Sequence, residues 1–415
     1  MVNNMKKIWI IYPYGEIIGE KYLEARHIRF GRILAENGYR VVFWTANFSH
    51  VFKKRRSESW KRINVCENFD IQLVPTGDYR SNISLKRAGF EMQYARALSY
   101  AFKKLKKPDL IITAGTGLLS AFRPVWPYMK ESNVPVIYDI MDIHLFEGYM
   151  RQHMKPLAPA ARLATRALER REAPFYHAVS GVCGLGKNQL EIAVKRTGNP
   201  EIPRCLVYNG IDINHFREQM ELPLSVELPE KEKDWIWCAY AGSLGPSYDI
   251  SSLIEAAERI RKEEKKIRFI VAGAGPQEDQ LREAAAKNDR LVFLGSVKPE
   301  ELPAIYRQCD IGLCPYAAYS TVDMPDKFYD YCAAGLAVVN SLSGEISGYI
   351  KDRNAGIQYQ AENADSLYDA VIRLSDESLL KRCQESAYQL AEKFDLRNLM
   401  KPLLAMIHDI IEQKG

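Results

Sequence analysis

The sequence lacks the features that mark membrane, metal-binding and secreted proteins. Its 415 residues contain no apolar run near the roughly 20 residues that a membrane-spanning helix requires. The eight cysteines form no CxxC pair and have no histidine cluster beside them, which argues against a zinc site and favours reduced thiols in a cytosol. No small-residue cleavage site follows the first apolar stretch, so we expect no signal peptide.

Composition and charge indicate two domains with different partners. Hydrophobic residues make up 47% and charged residues 26% of the chain, whose length suits two domains of about 200 residues. The net charge of +5 hides an asymmetry, because residues 1–212 carry 33 basic and 19 acidic side chains, whereas residues 213–415 carry 24 and 33. A basic half joined to an acidic half suggests that one half meets an anionic partner.

Strand-like and helical patterns alternate in both halves. Apolar stretches such as KKIWIIYPY, YRVVFWTA and IRFIVAGAG are separated by amphipathic stretches such as ISSLIEAAERIRKEE. This alternation predicts right-handed βαβ units and a parallel sheet in each half. We therefore expect an α/β fold made of two Rossmann-like, doubly wound domains that face a cleft, with ligands at the carboxyl ends of the strands.

The predicted boundaries follow a polar segment. Residues 217–234 are polar and acidic and contain two prolines, and we interpret residues 213–234 as a linker between domains at 1–212 and 235–390. Residues 391–415 form a predicted C-terminal helix that can cross back to the N-terminal domain.

Two glycine-containing loops could hold a ligand. Gly273 and Gly275 follow a strand as in a dinucleotide-binding loop, but Glu278 occupies the third glycine position and would oppose a pyrophosphate, which favours a simple tight turn. The loop Gly242–Gly245 also links a strand to a helix, and its backbone N–H groups could bind phosphate oxygens. A turn without a ligand explains this second loop equally well.

The strongest signal is the stretch MPDKFYDYCAAGLAVV. Pro325 suits a helix start and Gly335 a helix end, and Lys327 and Asp330 share one face of the helix between them. A lysine can bind a diphosphate as a point charge, and a carboxylate one turn later can accept hydrogen bonds from two ribose hydroxyls. The alternative is an ordinary ion pair on the surface.

Several segments together resemble glycosyltransferase family 4. YAGSLG, FIVAGAGP, LPAIYRQCDIGLCPY, MPDKFYDYCAAGLAVVNS and GEISGYIKDRNAGIQY fall in that family's order and spacing, and YNGIDINHF resembles its domain-junction segment. The resemblance covers nearly the whole second half, whereas the first half matches in strand order and a few segments. This resemblance implies the GT-B fold and a retaining mechanism. Within the family, the sequence most resembles the branch that builds bacterial surface polysaccharides.

The resemblance also implies roles for individual residues. Lys327 would contact the donor diphosphate, and Asp330, in place of the second glutamate of the family's Glu-x7-Glu pair, would hold the ribose. The first glutamate is replaced by Val322, with Asp323 beside it as the candidate substitute, and the arginine that often follows the AG pair is replaced by Ser243. The implied donor site consists of Gly242, Ser243, Leu244, Gly245, Asp323, Lys327, Phe328, Asp330 and Glu345.

Further candidates lie in the first half. The strand VIYDIMDIHLF places Asp139, Asp142 and His144 where many relatives have a residue facing the sugar, and we assign Asp142 and His144 with Lys327 to catalysis. Gly15 and Glu16, which follow the first strand, are assigned with Asp139 to the acceptor side.

The implied reaction moves a sugar from a nucleotide-sugar, with uridine as the family's preferred base, to a glycan or polyprenyl-diphosphate-linked acceptor. It needs no cofactor and no metal, in keeping with the absence of a DxD motif. The basic stretch at residues 50–62, with Phe52 and Trp60, suits an anionic membrane surface as well as it suits a solvated loop. We expect a cytoplasmic protein, peripheral at the inner face of the cell membrane, that does not bind nucleic acid. The alternatives are a non-catalytic GT-B subunit that binds a nucleotide-sugar and a sugar-nucleotide epimerase.

Overall fold

A computed structural model describes residues 5–20, 25–81, 84–115, 122–141, 158–320 and 322–413 of the chain. The chain divides into two compact units. The N-terminal unit contains residues 1–208 and 400–415, and the C-terminal unit contains residues 209–399.

The N-terminal unit is built on an eight-stranded sheet with the order β3-β4-β2-β1-β5-β6-β7-β8. All neighbouring strands run parallel except β3, which pairs antiparallel with β4 at one edge. The strands are β1 (Lys7–Ile11), β2 (Arg40–Ala46), β3 (Lys61–Cys66), β4 (Phe69–Val74), β5 (Leu110–Gly115), β6 (Val136–Ile140), β7 (Gly181–Gly184) and β8 (Arg204–Leu206). The helices between them are α1 (Arg26–Glu36), α2 (Leu85–Lys104), α3 (Phe122–Ser132), α4 (Ala158–Tyr176) and α5 (Lys187–Thr197).

The C-terminal unit is built on a six-stranded parallel sheet with the order β11-β10-β9-β12-β13-β14. Its strands are β9 (Ile236–Ser243), β10 (Ile267–Ala274), β11 (Leu291–Phe293), β12 (Ile311–Cys314), β13 (Ala337–Asn340) and β14 (Gly356–Gln358). Its helices are α6 (Ile213–Met220), α7 (Ile250–Lys262), α8 (Glu278–Ala285), α9 (Leu302–Tyr306), α10 (Asp326–Ala334), α11 (Glu345–Arg353), α12 (Ala364–Arg373) and α13 (Glu377–Phe394). The last helix, α14 (Leu396–Glu412), crosses the division between the units.

The predicted architecture of two parallel-sheet α/β units is confirmed. The central strands of both sheets are buried on both faces, as expected of parallel sheets covered by helices. The sequence patterns did not predict the β3–β4 pair or helix α3. Helix α6 lies inside the segment 213–234, and Ser225 and Lys231 of that segment hydrogen-bond to Glu301 and Asp310 of the C-terminal unit.

Within the ranges described above, no helix has both the length and the apolar character needed to cross a lipid bilayer.

Candidate functional site

Helix α10 is bounded by the residues that the sequence indicated. Pro325 occupies the N-cap in an extended conformation, and Gly335 ends the helix in the left-handed region with φ 71°. The chain then enters strand β13, whose residues are all buried. A helix fixed at both ends therefore carries Lys327 in its first turn.

The Lys327 side chain is buried in an aromatic cage formed by Tyr240, Tyr248 and Tyr316. Its ammonium lies over these three rings, at 4.6, 4.4 and 4.8 Å from their centroids. It also lies 3.4 Å from the Tyr316 hydroxyl, and the whole residue is only 7% exposed. Contacts with ring faces stabilise a cation by about 2 kcal/mol or more when water is excluded. The surface ion pair that was the alternative interpretation is therefore wrong.

The charge on Lys327 has no carboxylate partner within ion-pair distance among the described residues, Asp326 and Asp330 included. Burial lowers the pKa of Lys327 to about 8, and nearby Cys314, Asp326 and Asp330 offset that shift only in part. A desolvated cation in this position gains more from an anion than an exposed lysine would.

The end of strand β9 brings backbone close to this cation. A Cβ atom at Gly242 would lie 3.2 Å from the Lys327 ammonium. At Gly273, on the neighbouring strand β10, a Cβ atom would lie 2.0 Å from the Gly242 carbonyl oxygen. A Cβ atom at Gly275 would lie 2.7 Å from the backbone of Leu244. The two glycines at 273 and 275 are thus explained by close packing of two strand ends, which supports the tight-turn interpretation.

The loop Gly242–Gly245 does not present all of its amides. Ser243 is exposed, but Leu244 is fully buried, and its N–H donates to the Ala274 carbonyl at 2.9 Å. The Gly245 carbonyl accepts from the Gln277 side chain at 2.7 Å. The assignment of Leu244 to the donor site is therefore wrong, because its side chain belongs to the core and its amide is occupied.

Phe328 is likewise a core residue. It is fully buried, and its ring packs against the rings of Tyr349 and Phe394 at centroid distances of 6.2 and 5.6 Å. Its assignment to the donor site is wrong, because the helical turn that buries Lys327 directs Phe328 into the core. Asp330 remains half-buried, and its charge partly opposes the lowering of the Lys327 pKa that burial causes.

Two further donor-side candidates, Asp323 and Glu345, lie close together. The Ile346 N–H at the start of helix α11 donates to the Asp323 carbonyl at 3.1 Å. A Cβ atom at Gly344 would lie 2.8 Å from an Asp323 carboxylate oxygen, which explains the glycine there. Burial, and next the Glu345 carboxylate, raises the pKa of Asp323. Val322, at the place of the missing first glutamate, is 40% exposed.

Asp139 proves to be a structural residue. It is fully buried, and its carboxylate accepts from Arg26 at 2.9 and 3.0 Å and lies 3.4 Å from His27. Burial by itself would raise the pKa of Asp139, but Arg26 and His27 outweigh it and hold the pKa well below its usual value. The acceptor-side assignment of Asp139 is therefore wrong. Asp142 and His144 lie outside the described residues.

The other acceptor-side candidates follow strand β1. Gly15 is buried, and a Cβ atom there would lie 2.4 Å from the Phe43 ring. Its carbonyl accepts from Thr45 and Arg56, both at 3.0 Å, so Gly15 contributes backbone to the packing. Glu16 is half-buried, and its charge partly opposes the lowering of the His50 pKa by burial, Lys53 and Arg87.

Ion pairs reduce the basic character of residues 50–62. Within this segment, Arg55 pairs with Asp78, Arg56 with Glu20 and Arg62 with Asp70. Phe52 and Trp60 are 42% and 40% exposed, and Lys54 and Lys61 are exposed beside them. The exposed basic and apolar surface of this segment is therefore smaller than the sequence indicated.

The part of the chain that the structure describes holds no group of three or more histidine, cysteine or acidic side chains arranged to bind a metal ion.

Sequence patterns missed the aromatic cage. Tyr240 lies two residues before Gly242, Tyr248 three residues after Gly245, and Tyr316 just after strand β12. These positions share the carboxyl edge of the sheet, where doubly wound folds bind ligands. Tyrosines near predicted strand ends were the signal in the sequence, but only the pairing of strand β9 with β12 brings them together.

The C-terminal unit matches a family of known proteins. Residues 237–377 match the family model described as Glycosyl transferases group 1. The matched range includes the aromatic cage, Lys327, Asp330 and Glu345.

A curated relative and two solved structures match more of the chain. An alpha-monoglucosyldiacylglycerol synthase of Streptococcus pneumoniae is 27% identical over 76% of this chain and 70% of its own length. The sucrose-phosphate synthase of Thermosynechococcus elongatus superposes with a TM-score of 0.70 at 16% identity, covering 99% of this chain and all of that one. The structure of Anabaena Alr3699/HepE in complex with UDP-glucose superposes with a TM-score of 0.58 at 15% identity, and 99% of each chain is covered. The two units therefore have the GT-B fold, and the C-terminal unit carries the signature of group 1 glycosyltransferases.

Proposed function

We propose that this protein is a retaining, metal-independent enzyme of glycosyltransferase family 4. It transfers a sugar from a UDP-sugar to a glycan or polyprenyl-diphosphate-linked acceptor in the synthesis of a cell-surface polysaccharide. The observation that carries this proposal is the Lys327 ammonium, which is desolvated, surrounded by three tyrosine rings and next to the Gly242 backbone. A diphosphate would supply a directly contacting anion, which none of the described carboxylates provides within ion-pair distance of Lys327.

The donor is assigned to residues around this cation. Lys327 binds the diphosphate, and the exposed loop at Ser243 approaches it from the end of strand β9. Asp330, one helical turn after Lys327, holds the ribose hydroxyls. UDP is favoured because the similar Anabaena protein was solved with UDP-glucose.

Asp323 takes the place of the missing first glutamate in this proposal. Asp323 is half-buried beside Gly344 and the start of helix α11, where its carboxylate can accept a hydrogen bond from a sugar hydroxyl. Glu345 at the start of helix α11 accepts a hydrogen bond from a second sugar hydroxyl.

The proposed chemistry rests on stabilising the leaving group. As the bond between C1 of the sugar and the diphosphate oxygen breaks, negative charge grows on the diphosphate beside Lys327. The acceptor hydroxyl forms its bond to C1 on the face that the diphosphate leaves, and its proton passes to a diphosphate oxygen. No metal ion is needed to stabilise the charge on the diphosphate. The N-terminal unit binds the acceptor, which lies at the cytoplasmic face of the cell membrane.

A nucleotide panel tests the donor assignment. We expect UDP and UDP-glucose to raise the melting temperature by several degrees and GDP and dTDP to raise it less, because a ligand that binds only the folded state stabilises it. Differential scanning fluorimetry checks this. Equal shifts with all three nucleotides would contradict the uridine assignment, and no shift with any would contradict the donor site.

Product analysis tests the reaction. With a UDP-sugar and membranes from a bacterium that makes surface polysaccharide, we expect a product whose anomeric configuration equals that of the donor, as measured by proton NMR. EDTA should leave the rate unchanged. A donor epimer formed without acceptor would identify an epimerase instead, and UDP binding without turnover would identify a non-catalytic subunit, which the replacement of the first glutamate by Val322 favours.

UDP affinity should fall as pH rises through about 8. The pKa of Lys327 in the free protein is about 8, and only the ammonium form attracts the diphosphate, so each further pH unit costs about tenfold in affinity. Isothermal titration between about pH 7 and 9, below the range in which the uracil ring itself loses a proton, measures this. Lys327→Arg serves as the control, since its guanidinium keeps its charge over that range and its UDP affinity should not change with pH. A flat profile in the unmodified protein would remove Lys327 from the diphosphate site.

A further inference from the structure

A second group of polar and aromatic side chains lies at the carboxyl edge of the N-terminal sheet. Strands β1, β2 and β4 are neighbours there, and the residues that follow them meet the first turns of helix α2. Ligands of doubly wound sheets bind at this edge. We call this group the N-terminal cluster; its members are Tyr14, His50, Lys53, Tyr79, Arg87 and Glu91.

Arg87 is oriented by its neighbours. Its Nε donates to the Tyr14 hydroxyl at 3.2 Å and lies 3.7 Å from the Glu91 carboxylate, to which the Tyr14 hydroxyl also donates. The guanidinium lies 5.1 Å from the centroid of the Tyr14 ring, and the side chain remains 22% exposed. A guanidinium has five N–H donors in a planar fork, so Arg87 can bind a phosphate oxygen in addition to Tyr14.

Lys53 is held in a backbone conformation that a lysine rarely adopts. Its φ is 51°, and the turn around it is closed by the Ser49 N–H, which donates to the Lys54 carbonyl at 2.8 Å. This turn places the Lys53 ammonium over the Tyr79 ring, 4.5 Å from its centroid. Left-handed backbone at a residue other than glycine is enriched at binding sites.

His50 lies close enough to both cations to feel their charge. Its Nδ1 contacts the Tyr79 hydroxyl, and its ring lies 5.0 Å from the Tyr14 ring. Burial, then Lys53 and Arg87, lowers the pKa of His50 to about 4, against the opposing effect of Glu16. A neutral imidazole therefore lies in a field that the lysine and the arginine keep positive.

Exposed apolar side chains flank both cations in the sequence. Val51 and Phe52, immediately before Lys53, are 46% and 42% exposed. Leu85, two residues before Arg87 in the first turn of helix α2, is 93% exposed. Cations with adjacent exposed apolar groups match a ligand that carries a phosphate at the end of a hydrocarbon chain.

We propose that the N-terminal cluster binds the phosphate group of an amphiphilic acceptor, with Arg87 and Lys53 on the phosphate and Val51, Phe52 and Leu85 against the lipid chain. This inference rests on the proposed function and narrows the acceptor to lipid phosphates.

Octyl phosphate is the probe, and octyl glucoside and inorganic phosphate are its comparators. Isothermal titration should show octyl phosphate binding at least about tenfold more tightly than either comparator. Arg87→Gln and Lys53→Gln should each lower the affinity for octyl phosphate about tenfold or more, since each removes a charged contact. Their matched controls replace the exposed neighbours, Lys86→Gln and Lys54→Gln. These controls should change the affinity for octyl phosphate by less than about twofold. UDP affinity should be the same in all five proteins.

Three results would overturn this assignment. Equal weakening by the variants and their controls would indicate non-specific charge attraction. Octyl glucoside binding as tightly as octyl phosphate would exclude the phosphate contact, and inorganic phosphate binding as tightly would exclude the lipid contact. If UDP does not bind at all while the variants still differ from their controls, the donor assignment fails and the lipid phosphate site stands. Thermal unfolding of each variant confirms that it is folded.

Discussion

Replacing Lys327 by methionine is expected to lower kcat/KM for sugar transfer by about 100-fold or more. The substitution removes the cation nearest to the proposed diphosphate, and losing one such preorganised group typically costs about 3 kcal/mol of transition-state stabilisation. Methionine is about as long as lysine without its charge, and its sulfur suits aromatic surroundings such as Tyr240, Tyr248 and Tyr316. Initial rates with a UDP-sugar measure the loss.

The same substitution is expected to stabilise the fold at neutral pH. The pKa of Lys327 is about 8 in the folded protein and 10.5 without burial, so the folded state binds this proton less tightly. That unfavourable contribution, about 3 kcal/mol, is fully present below pH 8 and disappears as pH rises towards 10.5. Urea unfolding at pH 7 should therefore show Lys327→Met to be more stable than the unmodified protein, by about 1–3 kcal/mol.

Lys393→Met is the matched control. The Lys393 ammonium also lies over a tyrosine, 4.8 Å from the centroid of the Tyr349 ring, but this lysine is exposed. Its replacement should change neither the rate nor the stability beyond about 0.5 kcal/mol. If Lys327→Met keeps its full rate, Lys327 has no part in transfer. If Lys327→Met unfolds more easily than the unmodified protein at pH 7, the Lys327 ammonium stabilises the fold, and its burial is not a cost that function requires.

Local chemistry decided which parts of the site the sequence could predict. Pro325 and Gly335 fix the two ends of helix α10, and Lys327 and Asp330 share one face of the helix between them, which is what the sequence singled out. The cage around Lys327 depends on the alignment of strands β9 and β12, which spacing along the chain does not encode. Phe328 follows Lys327 directly, so only the rotation of the helix shows that it faces the core.

The prediction of the fold from the sequence was limited in similar ways. Strand β3 is an exposed edge strand rich in polar residues, and its basic side chains indicated a surface loop instead. Helix α3 contains Pro127, which argues against a helix when only propensity is considered. Asp139 at the end of strand β6 looked like a ligand residue because its partner, Arg26, is 113 positions away in the sequence.

Asp139→Asn is expected to destabilise the protein by about 3–5 kcal/mol, because it leaves the buried Arg26 charge without its partner. Arg26 also donates to the Val207 carbonyl at 2.5 Å, so its displacement would loosen the chain after strand β8. The low pKa of Asp139 adds stability that is present above about pH 4 and is lost as pH falls below that value. Urea unfolding at neutral and acidic pH measures both effects.

Asp78→Asn is the control for this change, since it removes the same charge from an arginine pair in the same unit. Asp78 is 62% exposed and lies 3.2 Å from Arg55, so its loss should cost less than about 1 kcal/mol at any pH. A stable Asp139→Asn protein with a raised KM for acceptor would restore the acceptor-side role that the sequence suggested. A less stable protein with an unchanged KM would show that Asp139 neutralises Arg26 inside the N-terminal unit and does not touch the acceptor.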